Sequence, residues 1–435
     1  MEKLHQELLD YISASPTAFH AASASVHLLK EAGFQELRET EPWRLLPGGK
    51  YFVTRNLSSV IAFRLPEVDY RAFQIVAAHL DSPCYKLKGK GAPACGGKYA
   101  MLDTEMYGGA ISASWMDRPL SVAGRLMLKT EGGVKPVLFD AGVDMLVIPN
   151  LCIHFNRGVN DGKPLRVQSD MMPLYSLQKG ADIKAQVAQM AGVEPADILA
   201  EELYVYNRMP GTVWGPEREF ISAPRLDDLE CAFSALKAVI EAENLGNPAV
   251  ACLFDNEEVG SGTRQGADSD FLETVLTRID RAMGKGEEAH EAVRASSFLV
   301  SADNAHAVHP NHPETADQAN GVWMNEGIVI KFSGNQRYTS DAVSAAVFRA
   351  VCEKAGVPVQ AFYNHSDIPG GSTLGHLSGR HVSIPSVDIG LAQLAMHSSW
   401  ETAGAKDLLS MVKGMTAFYE AALFSGSDCA WNIMA

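Results

Sequence analysis

Apolar runs that stop abruptly on acidic and imidazole side chains constrain this chain more than any other feature. Residues 73–78 (FQIVAA) run into His79-Leu80-Asp81-Ser82-Pro83, and residues 249–254 (AVACLF) run into Asp255-Asn256-Glu257-Glu258. A third run at 298–300 leads to Asp303, His306 and His309, and His397 follows a fourth at 386–390. Each run has the length and composition of a buried strand. In open α/β sheets ligands bind just beyond the carboxyl ends of the strands. The pattern therefore predicts an α/β fold that delivers histidines and carboxylates from four strand ends to one region.

The rhythm around these runs suggests two units. Residues 1–90 read as α/β: helices over 4–12 and 19–32, then short strands at 51–53 and 60–63. After Pro83 the texture becomes rich in glycine and β-type runs (121–128, 136–139, 145–148, 202–206), with one helix-like stretch at 181–191. The α/β rhythm resumes at Phe220 with a helical pattern over 229–242, whose apolar face is Leu229, Ala232, Phe233, Leu236, Val239 and Ile240. Strands at 327–332 and 359–363 and helices at 340–355 and 405–424 complete it. The expected organisation is an α/β/α domain formed by 1–90 and 219–435, split by a mostly β insertion over 91–218. A chain of 435 residues exceeds what one core usually organises, which agrees with two domains.

Composition removes several classes of function. A net charge of -15 with no basic stripe disfavours nucleic acid and anionic membranes as partners. No run of about 18 apolar residues occurs, and the N-terminal stretch lacks the uninterrupted apolar segment of a secretory signal. The seven cysteines (Cys84, Cys95, Cys152, Cys231, Cys252, Cys352, Cys429) are scattered and include no CxxC pair, which suits a reducing compartment. The cytoplasm is the expected location.

Taken singly, each polar cluster has an ordinary reading: a surface His-x-Asp pair, a solvated acidic loop, a capped turn, a core histidine. One metal site accounts for all of them together. Imidazole and carboxylate donors without thiolate suit zinc, cobalt or manganese. Two such ions about 3.5–4 Å apart serve hydrolysis, and they need a bridging anion. Asp227 or Asp228, just before the 229–242 helix, could supply it, although aspartate there is also a routine helix cap.

These segments resemble the aspartyl aminopeptidase family of zinc metallopeptidases. The resemblance rests on AAHLDSP, APRLDD, DNEEVGS, SADNAHAVHPN, IKFSGNQRY and LAMHS, with IPNLCIHFNR in the insertion and SASPTAFHA near the N-terminus. It implies a peptide-cleaving aminopeptidase with two zinc ions. His79 and His397 would be terminal ligands, Asp227 the bridge, and Glu258 and Asp303 the remaining ligands. Glu257 would be the general base, Asp81 would orient His79, and Tyr338 would donate to the oxyanion. Lys331, with His306 nearby, would favour peptides led by Asp or Glu. His154 would reach a neighbouring subunit's site, although its residues alone read as an interior strand histidine. The resemblance further implies self-association as at least a dimer, with a tetrahedral dodecamer as the family's common assembly, and a cis bond between Asp227 and Asp228.

Two departures stand out. Asp228 occupies a position where the family often has Asn, and Gly370-Gly371-Ser372-Thr373 replaces a Cys-Gly-Ser-Thr variant, removing a thiol ligand there. The competing expectations are a two-metal deacylase of N-acyl amino acids and a non-catalytic assembly protein of the same fold. A glycosidase using Glu257 and Glu258 is disfavoured, because adjacent carboxylates rarely flank a sugar at the roughly 5–9 Å required.

Overall fold

The computed structural model describes residues 1–89, 92–95, 97–162, 164–178, 180–368 and 370–434. Its centre is a nine-stranded sheet. In chain order the strands are β1 (Gln35–Leu37), β2 (Lys50–Arg55), β3 (Ser59–Arg64), β4 (Gln74–His79), β5 (Ala249–Phe254), β6 (Phe298–Ala302), β7 (Ile328–Phe332), β8 (Val359–Tyr363) and β9 (Ser386–Gly390). Their spatial order is β1-β2-β3-β5-β4-β6-β9-β7-β8. The four middle strands β5, β4, β6 and β9 run parallel, so their carboxyl ends share one edge. This geometry brings His79, the acidic turn after Phe254 and Asp303 to the same place.

Alternation along these strands explains the two covered faces. Val76 and Ala78 pack with helices Glu2–Ser13, Ala18–Glu31, Leu226–Glu241, Ala342–Lys354 and Asp407–Glu420. Ile75 and Ala77 pack on the other side with helix Phe271–Ala282 and with Val293 of Glu287–Ala295. Burying an aliphatic side chain of this kind contributes roughly 1.5–3 kcal/mol. A sheet apolar on both faces is therefore stable only as the middle layer of an α/β/α sandwich.

Residues between β4 and β5 form separate sheets. Cys84–Leu87, Thr104–Tyr107, Ser121–Thr130, Gly133–Asp140 and Ile198–Tyr206 make one of five strands. Tyr85, Trp115, Val122, Leu126, Phe139 and Val205 lie in a core of their own around it. The expected junction at residues 90 and 91 lies outside the described residues; the chain joins this sheet earlier, at Cys84. Thr212–Trp214, expected in the insertion, instead pairs with Phe220–Ala223 of the catalytic side.

Some elements differ from the sequence reading. The stretch 145–148 forms only isolated bridges, Leu120 with Leu146 and Val147 with Leu174. The last helix ends at Glu420, because a hairpin of Ala422–Ser427 and Ala430–Met434 follows it around an Asp428-Cys429 turn. The amphipathic helices at 271–282 and 287–295 have no counterpart in that reading. Among the described residues, no helix is long and apolar enough to cross a membrane.

Candidate metal centre

Five segments converge at the carboxyl edge of the middle strands. His79 is the last residue of β4 and is 1% exposed. Its Nδ1 lies 3.0 Å from the backbone carbonyl of Asp81, so a proton on Nδ1 leaves Nε2 facing Asp227 Oδ1 at 3.5 Å. The Asp81 carboxylate, expected to orient His79 directly, is 3.4 Å away and has other partners. It accepts from the backbone amides of Glu257 and Glu258 at 3.1 Å each and from Tyr107 Oη at 2.7 Å. Asp81 thus ties the end of β4 to the acidic turn after β5.

Asp227 and Asp228 open the helix Leu226–Glu241, but their backbones are not helical and the bond between them is cis. Neither caps the helix with its side chain. Asp228 Oδ2 instead accepts from the His79 amide at 3.1 Å. Asp227 faces two imidazoles, His79 at Oδ1 and His397 Nε2 at Oδ2, the latter 3.3 Å away. His397 Nε2 is also 3.3 Å from Glu258 Oε1.

The donor atoms fall into overlapping groups. His79, Asp227 and Asp303 each offer one ligand atom within 4.8 Å of the others, and so do Asp227, Glu258 and His397. The two groups share Asp227. Glu257 joins a third group with His79 and Glu258. Asp227 Oδ1 and Glu258 Oε1 are buried without a hydrogen-bond donor, a costly state for carboxylate oxygens.

The electrostatics are those of a crowded anionic pit. Burial pushes the Glu257 carboxyl up to about 8 and holds Glu258 and Asp303 above the usual carboxylate range. Burial alone would lower the two histidines, but Asp227 with Asp81 raises His79 well above its ordinary value, and Asp227 with Glu258 raises His397 to about 10. Such a concentration of carboxylates around two imidazoles favours bound cations. The donor set fits zinc.

The insertion closes one side of the pit. Gly109 O receives the His397 Nδ1 proton at 3.0 Å, and the Ile111 amide donates to the His397 carbonyl at 2.9 Å. Gly108 has φ of 69°, a conformation that favours glycine, and a Cβ there would sit tightly, 3.1 Å from Glu258 Cβ.

Lys331, on β7, is buried. Its Nζ donates to the Asn304 carbonyl at 2.9 Å and lies 3.7 Å from Asp303 Oδ1 and 5.4 Å from the Tyr338 ring centroid. Tyr338 is buried beside it. His306 is exposed, with its ring centroid 6.2 Å from that of Phe362. His154 lies in an exposed turn of the insertion, not in an interior strand, with Leu151, Ile153 and Phe155 exposed around it. Among the described residues no hydrogen bond or ion pair joins His154 to the pit. Sequence reasoning missed Glu401 and Tyr107. Glu401 carries a weak signal, a carboxylate four residues after His397; Tyr107 carries none.

Comparison with known proteins decides the family. The family model described as aminopeptidase I zinc metalloprotease (M18) matches residues 11–419. The chain belongs to the M18 aminopeptidases. It is 42% identical over 426 residues to a probable M18 family aminopeptidase 2 of Clostridium novyi, covering 96% of this chain and 98% of that one. It also resembles a chain of the Ape4 and Nbr1 complex, with TM-score 0.92 and 33% identity over 96% of this chain and 86% of that one. A chain of the S. cerevisiae mApe1 dodecamer matches with TM-score 0.85 and 28% identity, covering 97% of each. This M18 chain is a zinc aminopeptidase, and its fold is the zinc-peptidase α/β type.

Proposed function

We propose that this aminopeptidase works with two zinc ions, one held by His79 and Asp303 and the other by His397 and Glu258, with Asp227 shared. The observation that carries this reading is the overlap of two ligand groups on Asp227. Bound there, zinc supplies a Lewis acid for the scissile carbonyl and lowers the pKa of water. Cobalt or manganese suit the same donors.

The chain's own residues do the rest. Glu257, beside His79 and Glu258, takes the proton of the attacking water as general base and passes it to the leaving amine. Burial raises its proton affinity, which helps the carboxylate draw a proton from water. Asp81 fixes the His79 tautomer through its carbonyl and holds the Glu257–Glu258 turn through its carboxylate. Tyr338 donates to the oxygen on which negative charge develops. The acidic pit attracts the substrate's free α-ammonium. Lys331, with His306 near the mouth, attracts an acidic first side chain, giving a preference for Asp and Glu.

The insertion supports self-association. Leu151, Ile153 and Phe155 expose apolar surface around His154, as a face covered by a second copy would. In this reading His154 completes a neighbour's site, the minimum unit is a dimer, and a tetrahedral dodecamer is the full assembly; the yeast relative is a dodecamer. Among the described residues six cysteines are free thiols, consistent with a cytoplasmic setting.

The test is a panel of peptides led by Asp, Glu or Leu, alongside N-acetyl-aspartate and N-acetyl-leucine. The reading expects the highest kcat/KM on free Asp- and Glu-led peptides and no release of acetate. Preference for the acylated amino acids would assign a deacylase instead.

A further inference from the structure

Glu401 opens the strand Glu401–Gly404, which pairs with Phe220–Ala223, and its backbone lies opposite Ala223. Its side chain points under the metal centre and is only 2% exposed. The two carboxylate oxygens have different partners. Oε2 accepts from the Asp227 amide at 3.0 Å, and Oε1 accepts from the His397 amide at 2.7 Å. Among the described residues no Lys, Arg or His forms an ion pair with it. A buried carboxylate without a cation is expensive to hold, and these two charge-assisted bonds are what offset the cost.

The two amides belong to distant segments that meet only at the centre. Asp227 lies at the distorted start of its helix, and His397 lies in a turn with φ of 67°. Glu401 is a rigid bridge between them. The distance it enforces is the one between the shared carboxylate and the terminal imidazole, whose Oδ2 and Nε2 atoms are 3.3 Å apart.

We infer that Glu401 is a positioning residue that sets the spacing of Asp227 and His397 and thereby the affinity of the His397–Glu258 metal position. This rests on the two-zinc reading above. Partners that orient metal ligands typically contribute roughly 10–100-fold to metal affinity. Glu401→Gln keeps the shape but turns an NH2 group towards one of the two amides, so one bond is lost.

The measurement is zinc titration of the metal-stripped full assembly against a chromophoric chelator, for wild type, Glu401→Gln and Glu401→Asp, with thermal melting of each metal-free protein. Wild type should take two zinc ions per chain. In both variants one of the two zinc ions should bind roughly 10–100-fold less tightly than in wild type, the other should be unchanged, and saturating zinc should restore kcat. Glu401→Asp keeps the charge but withdraws the carboxylate by one methylene, and it decides the matter if the glutamine variant does not fold. Unchanged affinities in the variants, or equal loss at both positions together with a lower melting temperature of the metal-free protein, would overturn the inference alone. A wild-type chain that takes one ion would overturn the two-zinc reading, and this inference with it.

Discussion

Adjacent residues can carry opposite duties when the backbone turns between them. Glu258 Oε1 is 3.3 Å from His397 Nε2, whereas Glu257 groups with His79, and the amides of both are pinned by Asp81. Glu257→Gln should retain zinc and lose turnover by roughly 10²–10⁴-fold, because an amide cannot accept the water's proton. Zinc content and kcat of the same preparation check this; near-normal kcat would place the base elsewhere. Lys331 is buried, so the weak ion pairing of a solvent-exposed lysine does not describe it. Lys331→Met should cost Asp- and Glu-led peptides about 2–5 kcal/mol in kcat/KM and spare Leu-led ones, since a desolvated substrate carboxylate would lose its cation. Equal loss on both classes would mean that Lys331 mainly supports Asp303, 3.7 Å away. His79, Glu257, Glu258 and Asp303 stood out in the sequence because they close or follow apolar strands within a few residues, whereas Asp227 was singled out from Asp228 only by the family resemblance. Glu401 and Tyr107 did not stand out, because their partners are fixed only by the tertiary meeting of distant segments.

At the level of elements, the middle of the sheet was legible and its margins were not. Strands such as β5 and β9 are short apolar runs with sharp polar ends, and their bounds match the sequence reading. The helix expected at 229–242 runs regularly from Leu229 to Glu241, and what local pattern did not mark is the non-helical backbone of Asp227 and Asp228 just before it. The junction of the helices Glu2–Ser13 and Ala18–Glu31 holds a pH-sensitive group. His20 Nδ1 is 2.9 Å from Thr17 Oγ1, and burial, opposed by Asp140, pulls the imidazole down to about 4. The unfolded chain takes up a proton near pH 6.5 while the folded chain stays neutral until about pH 4. This contribution is therefore fully present above pH 6.5 and is lost as pH falls towards 4. Wild type should lose about 2 kcal/mol relative to His20→Gln between pH 7 and pH 5, at matched zinc and protein concentrations. Parallel pH dependences of unfolding in the two proteins would contradict it.

At the scale of the whole molecule, the insertion serves two surfaces. One closes the pit through Gly108 and Gly109; the other presents the loop around His154. Phe155 is 81% exposed, an unusual state for a large aromatic side chain in a monomer. Phe155→Asp should shift the mass measured by light scattering towards smaller species and reduce kcat/KM by more than about tenfold, since central apolar anchors dominate interface energy. An unchanged mass and unchanged kcat/KM would remove the loop from the assembly. Catalysis as proposed depends on one carboxylate serving two ions. The most direct measurement is an anomalous difference map at the zinc absorption edge from crystals of the zinc-loaded enzyme. It should show two peaks per chain on either side of the Asp227 carboxylate, one against His79 and Asp303, the other against His397 and Glu258. A single peak, or two peaks that do not share Asp227, would contradict it.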